Sequence, residues 1–256
     1  MVKGLYASAV GMTAQMKRMD VIADNLANVN TTGFKKDRAV THSFSEELLL
    51  RLNDEKDKPF YAAPIGRISQ GVFIDDIYTS HENGSFKKTG GPLDLAIEGS
   101  GFFCVFAKES DGQTREMYTR DGSFTLTENG ALATKDGFPV MGSGGPVILP
   151  PGEITIEDDG RIYSNLEYVD TLKIASFTDL RQLRKTGGSL FYATAAAGQD
   201  AFSGKIQQGF LENSNVSSIR EMTDMISVSR AYDANQKMIL SHDNIMMRTA
   251  NDIARK

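Results

Sequence analysis

Cysteine, tryptophan, histidine and long apolar runs are scarce or missing, and each shortage removes a class of protein. The 256-residue chain has one cysteine, Cys104, and no tryptophan. One thiol cannot form an intramolecular disulfide, so packing must supply the stability, and the count is neutral about compartment. His42, His81 and His242 lie far apart, and none has a second His or Cys at metal-ligand spacing, which leaves no case for a zinc site. Nowhere do the ~18 consecutive apolar residues of a membrane span occur. Positive charge is not in excess either. With 28 basic and 33 acidic residues the net charge is −5, unlike a nucleic-acid protein that relies on phosphate neutralisation. What remains, 40% hydrophobic and 24% charged residues, is a globular chain long enough for one large domain or two modest ones.

Catalytic signatures are missing as well. Cys104 lies within Phe102-Phe103-Cys104-Val105-Phe106, where a thiol reads as an inert strand residue. Glu157-Asp158-Asp159-Gly160 lacks the alternating carboxylates of a calcium loop and reads as a turn. Gly142-Ser143-Gly144-Gly145-Pro146 lacks the Lys-Ser/Thr of a phosphate loop, and no Gly-x-Ser-x-Gly elbow occurs. Asn215-Val216-Ser217 matches a glycosylation pattern that means nothing without a eukaryotic secretory context. Lys3 and the stretch Leu5 to Val10 offer a charge, an apolar segment and Ala7-Ser8-Ala9, but a signal peptide needs an apolar region of ~7 residues or more before the cleavage site, so none is expected. The chain therefore reads as a non-enzyme without cofactor, metal or small-molecule substrate.

Glycine punctuates the middle and spares the ends: only Gly4, Gly11 and Gly33 precede residue 60, and none follows Gly209. Between them Asn83-Gly84, Asp111-Gly112, Asp121-Gly122, Asn129-Gly130, Asp136-Gly137 and Asp159-Gly160 mark turns. Short apolar or alternating runs separate these turns: Leu93 to Ile97, Phe102 to Phe106, Phe124 to Leu126, Ile154 to Ile156 and Leu172 to Phe177. They predict a compact barrel or sandwich-like β domain. The ends have another period. Leu5, Met12, Met19 and Leu26 recur every seven residues, with Ala9, Met16 and Ala23 between, and so do Met225, Tyr232, Ile239, Met246 and Ile253. Nine of the eleven methionines lie in these terminal segments, and Met suits adaptable interfaces.

The C-terminal seam is imperfect, because Ser229, Gln236 and Asp243 interrupt the positions three before it. An N-terminal helix about 40 Å long is also too long for a small β domain to hide. Two helices cannot bury the apolar width of both, so Leu5, Met12, Met16, Met19, Leu26, Met222, Met225, Ile226, Tyr232, Ile239, Met246 and Ile253 are expected at a subunit interface. The fold class is α+β, mainly β: long N- and C-terminal helices form a coiled-coil layer, and a central β domain of short strands is inserted between them. The expected boundaries are 1–35 for the first helix, 36–85 for an extended linker, 86–208 for the β domain and 209–256 for the second helix. A monomeric β-domain module binding cell-wall glycan through Tyr118, Phe124, Phe138 and Tyr192 is the alternative.

Three stretches carry a resemblance. Asp20 to Phe34, with Asn25, Leu26, Ala27, Asn28, Thr31, Gly33 and Phe34, closely resembles the N-terminal signature of bacterial flagellar rod and hook proteins. Gly91 to Phe103 with Tyr118 to Phe124 is similar to the β domain of that family. Gly209 to Val216, leading through Glu221 to Tyr232, looks like its C-terminal helix. The resemblance implies a structural subunit of the periplasmic flagellar rod, exported through the flagellar type III apparatus without a cleaved signal. Its partners would be other copies of itself and other rod and hook proteins. Pro139 to Val147 and Pro150-Pro151-Gly152 resemble the proximal rod type, which is preferred to the distal. The charged tail Asp252 to Lys256 departs from a deep apolar seam.

Overall fold

The computed structural model describes residues 2–51, 63–69, 71–108, 114–194 and 197–254. The turn expected at Asp111-Gly112, Met1, and the tail residues Arg255 and Lys256 lie outside them. The chain forms two compact units, one of residues 1–26, 37–78 and 218–256 and one of 27–36 and 79–217. Taken as a whole it is α+β and mainly β, with one long helix near each end.

The first unit holds both helices, α1 (Val2–Ala27) and α2 (Ser218–Ala254). Neither contains proline, and Glu221 places a carboxylate in the first turn of α2, where the helix dipole favours it. The helices meet antiparallel through small and polar residues. A Cβ on Gly4 would lie 2.8 Å from His242 Nε2, and one on Gly11 would lie 3.1 Å from Asn235 Nδ2. Asn25 Nδ2 donates to Glu221 Oε2 at 3.4 Å. Steps of seven and fourteen along α1 thus meet equal steps back along α2. Asn25 is also the strand anchor: its amide donates to the carbonyl of Asp37 at 2.8 Å and accepts from that residue's N–H at 2.9 Å. The segment between the helices carries two ribbons. Asp37–Ser43 shares a two-stranded sheet with Val72–Thr79. Glu47–Arg51 pairs antiparallel with Ala63–Ile68, with a bulge between Leu49 and Leu50.

The second unit is built around an open six-stranded antiparallel sheet in the order 183–187, 190–193, 114–119, 102–108, 174–177 and 199–200. Among the described residues its edge strands, 183–187 and 199–200, do not pair with each other, so the sheet does not close into a barrel. Strand Phe102–Lys108 is buried on both faces because its side chains alternate. Phe103, Val105 and Ala107 enter one core with Leu95, Leu132 and Ile162, while Phe102 and Cys104 enter the other with Tyr118, Phe177 and Phe191. The five apolar runs all contain strands, within a residue or two of the expected ends. Gly130, Gly137 and Gly160 adopt the positive φ their turns demand. Gly142 to Gly145 is a tight turn between two paired dipeptides. Cys104 is wholly buried, and burial, aided by Glu116, pushes its thiol up, in keeping with an inert role.

Tyr118 packs edge-on to Phe177 at 4.9 Å, and burial first, then the charge of Glu116, pushes its phenol up to about 12. The unfolded chain loses that proton near pH 10 while the folded chain keeps it. The raised value therefore contributes stability below pH 10 that is lost as pH rises toward 12. Denaturant melts across that window are expected to show a loss of up to about 3 kcal/mol. In Tyr118→Phe this part of the slope should vanish, and an unchanged slope would refute the assignment.

Candidate functional site: apolar helix faces and a buried ionic node

Two arrangements stand out, one in each unit. In the first unit the helices present apolar side chains to solvent. Leu5, Met12, Met19, Leu26, Met225, Tyr232 and Ile239 are half-buried in the single chain. Met16, Met222, Ile226, Met246 and Ile253 are exposed, Ile253 at 72%. The α2 positions set against α1 are Glu221, Asn235 and His242, with Val228, 2% exposed, in the same seven-residue series, whereas Met222 is exposed. A pattern sought in apolar residues misses this seam. Three of its four members are polar, and their signal is the glycine or asparagine opposite each. The seam leaves a second stripe of α2 uncovered, with Ile219, Met222 and Ile226 at one end and Leu240 and Met247 at the other, all at least 47% exposed.

In the second unit, charged residues are buried together. Lys35, Arg120 and Glu212 are each at most 4% exposed. Glu212 Oε1 accepts from Lys35 Nζ at 2.7 Å and from the N–H of Gly84 at 2.7 Å, and Oε2 stands 3.5 Å from Arg120 Nη1. Lys35 Nζ also donates to the carbonyl of Glu82 at 2.7 Å. Arg120 donates to the carbonyls of Ile97 and Gly99 and lies 5.3 Å from the Phe102 ring. Burial lowers the pKa of both cations, and Glu212 opposes that shift. The node joins the three stretches that carried the resemblance. Gly33, at φ 65°, donates its N–H to the carbonyl of Glu212 at 2.8 Å. A Cβ there would sit 2.4 Å from the Arg120 carbonyl carbon.

The other signature residues serve the same closure. Asn28 caps the loop through Thr31, whose N–H and hydroxyl both donate to it at 3.2 Å. Thr32 donates to Asp121 at 2.6 Å. Phe34 is 1% exposed, with Lys185 Nζ 3.7 Å from its ring centroid. Leu26 is half-buried and Ala27 exposed. Asn215 accepts from Lys36 N–H at 2.7 Å and donates to the carbonyls of Ser80 and Glu82, so its amide is engaged at both ends and is no glycan acceptor. Lys35, Arg120 and Glu212 escaped sequence reasoning because a lone charge reads as solvated. Their available signal was position, since each sits in or beside a glycine-marked or aromatic turn of a signature stretch.

Of the four aromatics of the glycan alternative, Tyr118 and Phe124 are at most 5% exposed and cannot stack on a sugar, while Phe138 and Tyr192 are half-buried, so the alternative is not favoured. Among the described residues no group of three or more His, Cys, Asp or Glu could hold a metal ion, and no helix is long and apolar enough to cross a membrane.

Comparison with known proteins agrees with this layout. Residues 5–35 match the family described as flagella basal body rod protein, 96–164 the flagellar hook protein FlgE/F/G D1 domain, and 207–253 the flagellar basal body rod FlgEFG protein C-terminal family. The chain is 36% identical to the flagellar basal-body rod protein FlgG of Borreliella burgdorferi, with both chains fully covered. It is 36% identical to FlgF of Caulobacter vibrioides over 90% of each chain, and 30% identical to the hook-basal body complex protein FlhO of Bacillus subtilis over all of both. With such similarity along its whole length, and with the node built from all three matched regions, the chain belongs to the flagellar basal-body rod protein family and is a structural subunit of the rod.

Proposed function

We propose that this rod subunit polymerises with further copies of itself and with other rod and hook proteins, its two terminal helices forming the inner coiled-coil layer of a periplasmic tube that transmits torque. The uncovered apolar stripe of α2 carries this reading. One face of that helix already packs on α1, while Ile219, Met222 and Ile226 near its start and Leu240 and Met247 further along remain in water, two exposed apolar groups on one helix of the kind that mark an interface. In this reading the twelve seam and stripe residues named above line contacts between subunits, export proceeds through the flagellar type III apparatus without a cleaved signal, and the protein has no enzymatic chemistry. The proximal position rests on the resemblance of Pro139 to Val147 and Pro150 to Gly152, since relatives named FlgG and FlgF match at similar identity.

The half-buried seam residues are poor probes, because changing them disturbs the single chain as well. Ile226→Asp and Leu240→Asp act where the monomer is exposed, so each should change its stability by no more than about 0.5 kcal/mol. Burying the same carboxylate between subunits is severely unfavourable. Both variants should melt like the parent and fail to enter rods in a motility and basal-body preparation assay. Normal incorporation of both would defeat the proposal.

A further inference from the structure

A hairpin of the second unit, strands Arg161–Ser164 and Glu167–Thr171, ends in a turn that stability alone does not explain. Asn165 and Leu166 both have positive φ, 51° and 69°. Asparagine tolerates that conformation, but leucine pays a steric cost that glycine would avoid. Leu166 is nevertheless 93% exposed, so it contributes no burial to its own chain. The tip is held in place: Asn165 Oδ1 accepts from the N–H of Glu153 at 3.1 Å, and its own N–H donates to the Glu153 carbonyl at 3.0 Å. A rigid apolar knob results, with the carboxylate of Glu167 beside it.

The same unit carries a matching hole. A cleft of about 300 Å³ is walled by Phe102, Phe177 and Leu180 and by the backbone of Gly99 to Gly101, with Arg120 among its lining. Arg120 is 4% exposed, and its Nε–H has no acceptor among the described residues. The buried node beneath holds two cations, Lys35 and Arg120, against the single carboxylate of Glu212. Glu82 borders the cleft and its charge reaches Lys35, but it is exposed to water, and Glu212 is the carboxylate that opposes the burial shift of Arg120. An apolar wall with a buried, under-neutralised guanidinium suits an apolar side chain accompanied by a carboxylate.

We propose that the tip of one copy docks in the cleft of a second copy, Leu166 against Phe102, Phe177 and Leu180 and the Glu167 carboxylate toward Arg120. The inference rests on the self-assembly reading above and names one of its contacts. Tip and cleft are different patches of the surface, so the contact is head-to-tail and can repeat indefinitely, as a helical tube requires.

The test uses full-length copies. A receptor labelled with 15N-arginine carries Leu166→Gly and Glu167→Lys and so presents only the cleft. Unlabelled copies carrying Ser100→Trp, which fills the cleft, present only the tip. If Ser100→Trp lowers the melting midpoint, Leu180→Arg replaces it. Leu166→Gly should leave the receptor's midpoint unchanged or higher, because glycine suits the turn. The Arg120 Nε–H resonance is expected to shift saturably with tip-bearing copies. Binding should be at least tenfold weaker when those copies also carry Leu166→Gly and Glu167→Lys. An equal response to both kinds of copy overturns the proposal. An unmoved Arg120, while the backbone signals of Arg18, Arg220, Arg230 and Arg248 on the helices respond, overturns it and leaves self-assembly standing. Silence at every arginine counts against both.

Discussion

Glu212→Gln is expected to cost the β unit about 3–5 kcal/mol, the range for breaking a buried ion pair by removing one partner. The amide keeps the shape and can still accept from Gly84, so packing is preserved and the loss reports on charge. It strands Lys35 and Arg120, both almost fully buried, with no counter-charge at 2.7 and 3.5 Å. Lys35 has an escape that Arg120 lacks. Its pKa is already lowered by burial, so without Glu212 it should release its proton and bind neutral. A group with a folded pKa below its unfolded value withdraws stability as pH falls through the folded pKa. The deficit of Glu212→Gln should therefore be largest near neutral pH and shrink as pH rises toward the ordinary lysine range. Urea melts of the variant and of Lys35→Met/Glu212→Gln check this, the double variant being expected to flatten the pH dependence. A loss under about 1 kcal/mol would show that the node is not held by charge.

Gly33→Ala is expected to be comparably damaging, about 2–5 kcal/mol, from two causes that can be separated. Alanine at φ 65° carries the left-handed penalty of about 1–2 kcal/mol. Its Cβ would also sit 2.4 Å from backbone atoms of both Arg120 and Asp121, which cannot rotate away as a side chain could, and such overpacking adds about 1–3 kcal/mol. Gly137→Ala supplies the control. That glycine has φ 85° with nothing within 4 Å of a new Cβ, so only the conformational penalty applies. Equal melting losses for the two variants would mean that the close approach at Gly33 is relieved at little cost.

Much of the architecture follows from local pattern. A heptad without proline specifies a long helix wherever it packs, and Asn-Gly and Asp-Gly steps restrict the backbone by their own sterics. Hence both terminal helices and the strands at Phe102, Phe124 and Ile154 are readable one segment at a time. The Asn165-Leu166 turn is not, because leucine in a left-handed conformation contradicts its propensity and gives no local sign. The polar side of the helix seam is hidden for a related reason. His242, Asn235 and Glu221 look like solvent residues until Gly4, Gly11 and Asn25 are found opposite them.

The same division runs through the ionic node. Gly33, Arg120 and Glu212 lie within stretches whose residue order alone points to the rod family, and that order determined fold class and family membership. Which charges lose their water, which carboxylate faces two cations, and which glycine has no room for a methyl group were decided only when segments far apart in the chain came together. Desolvation and close approach are properties of three-dimensional neighbours, and neither acts until those neighbours are in place.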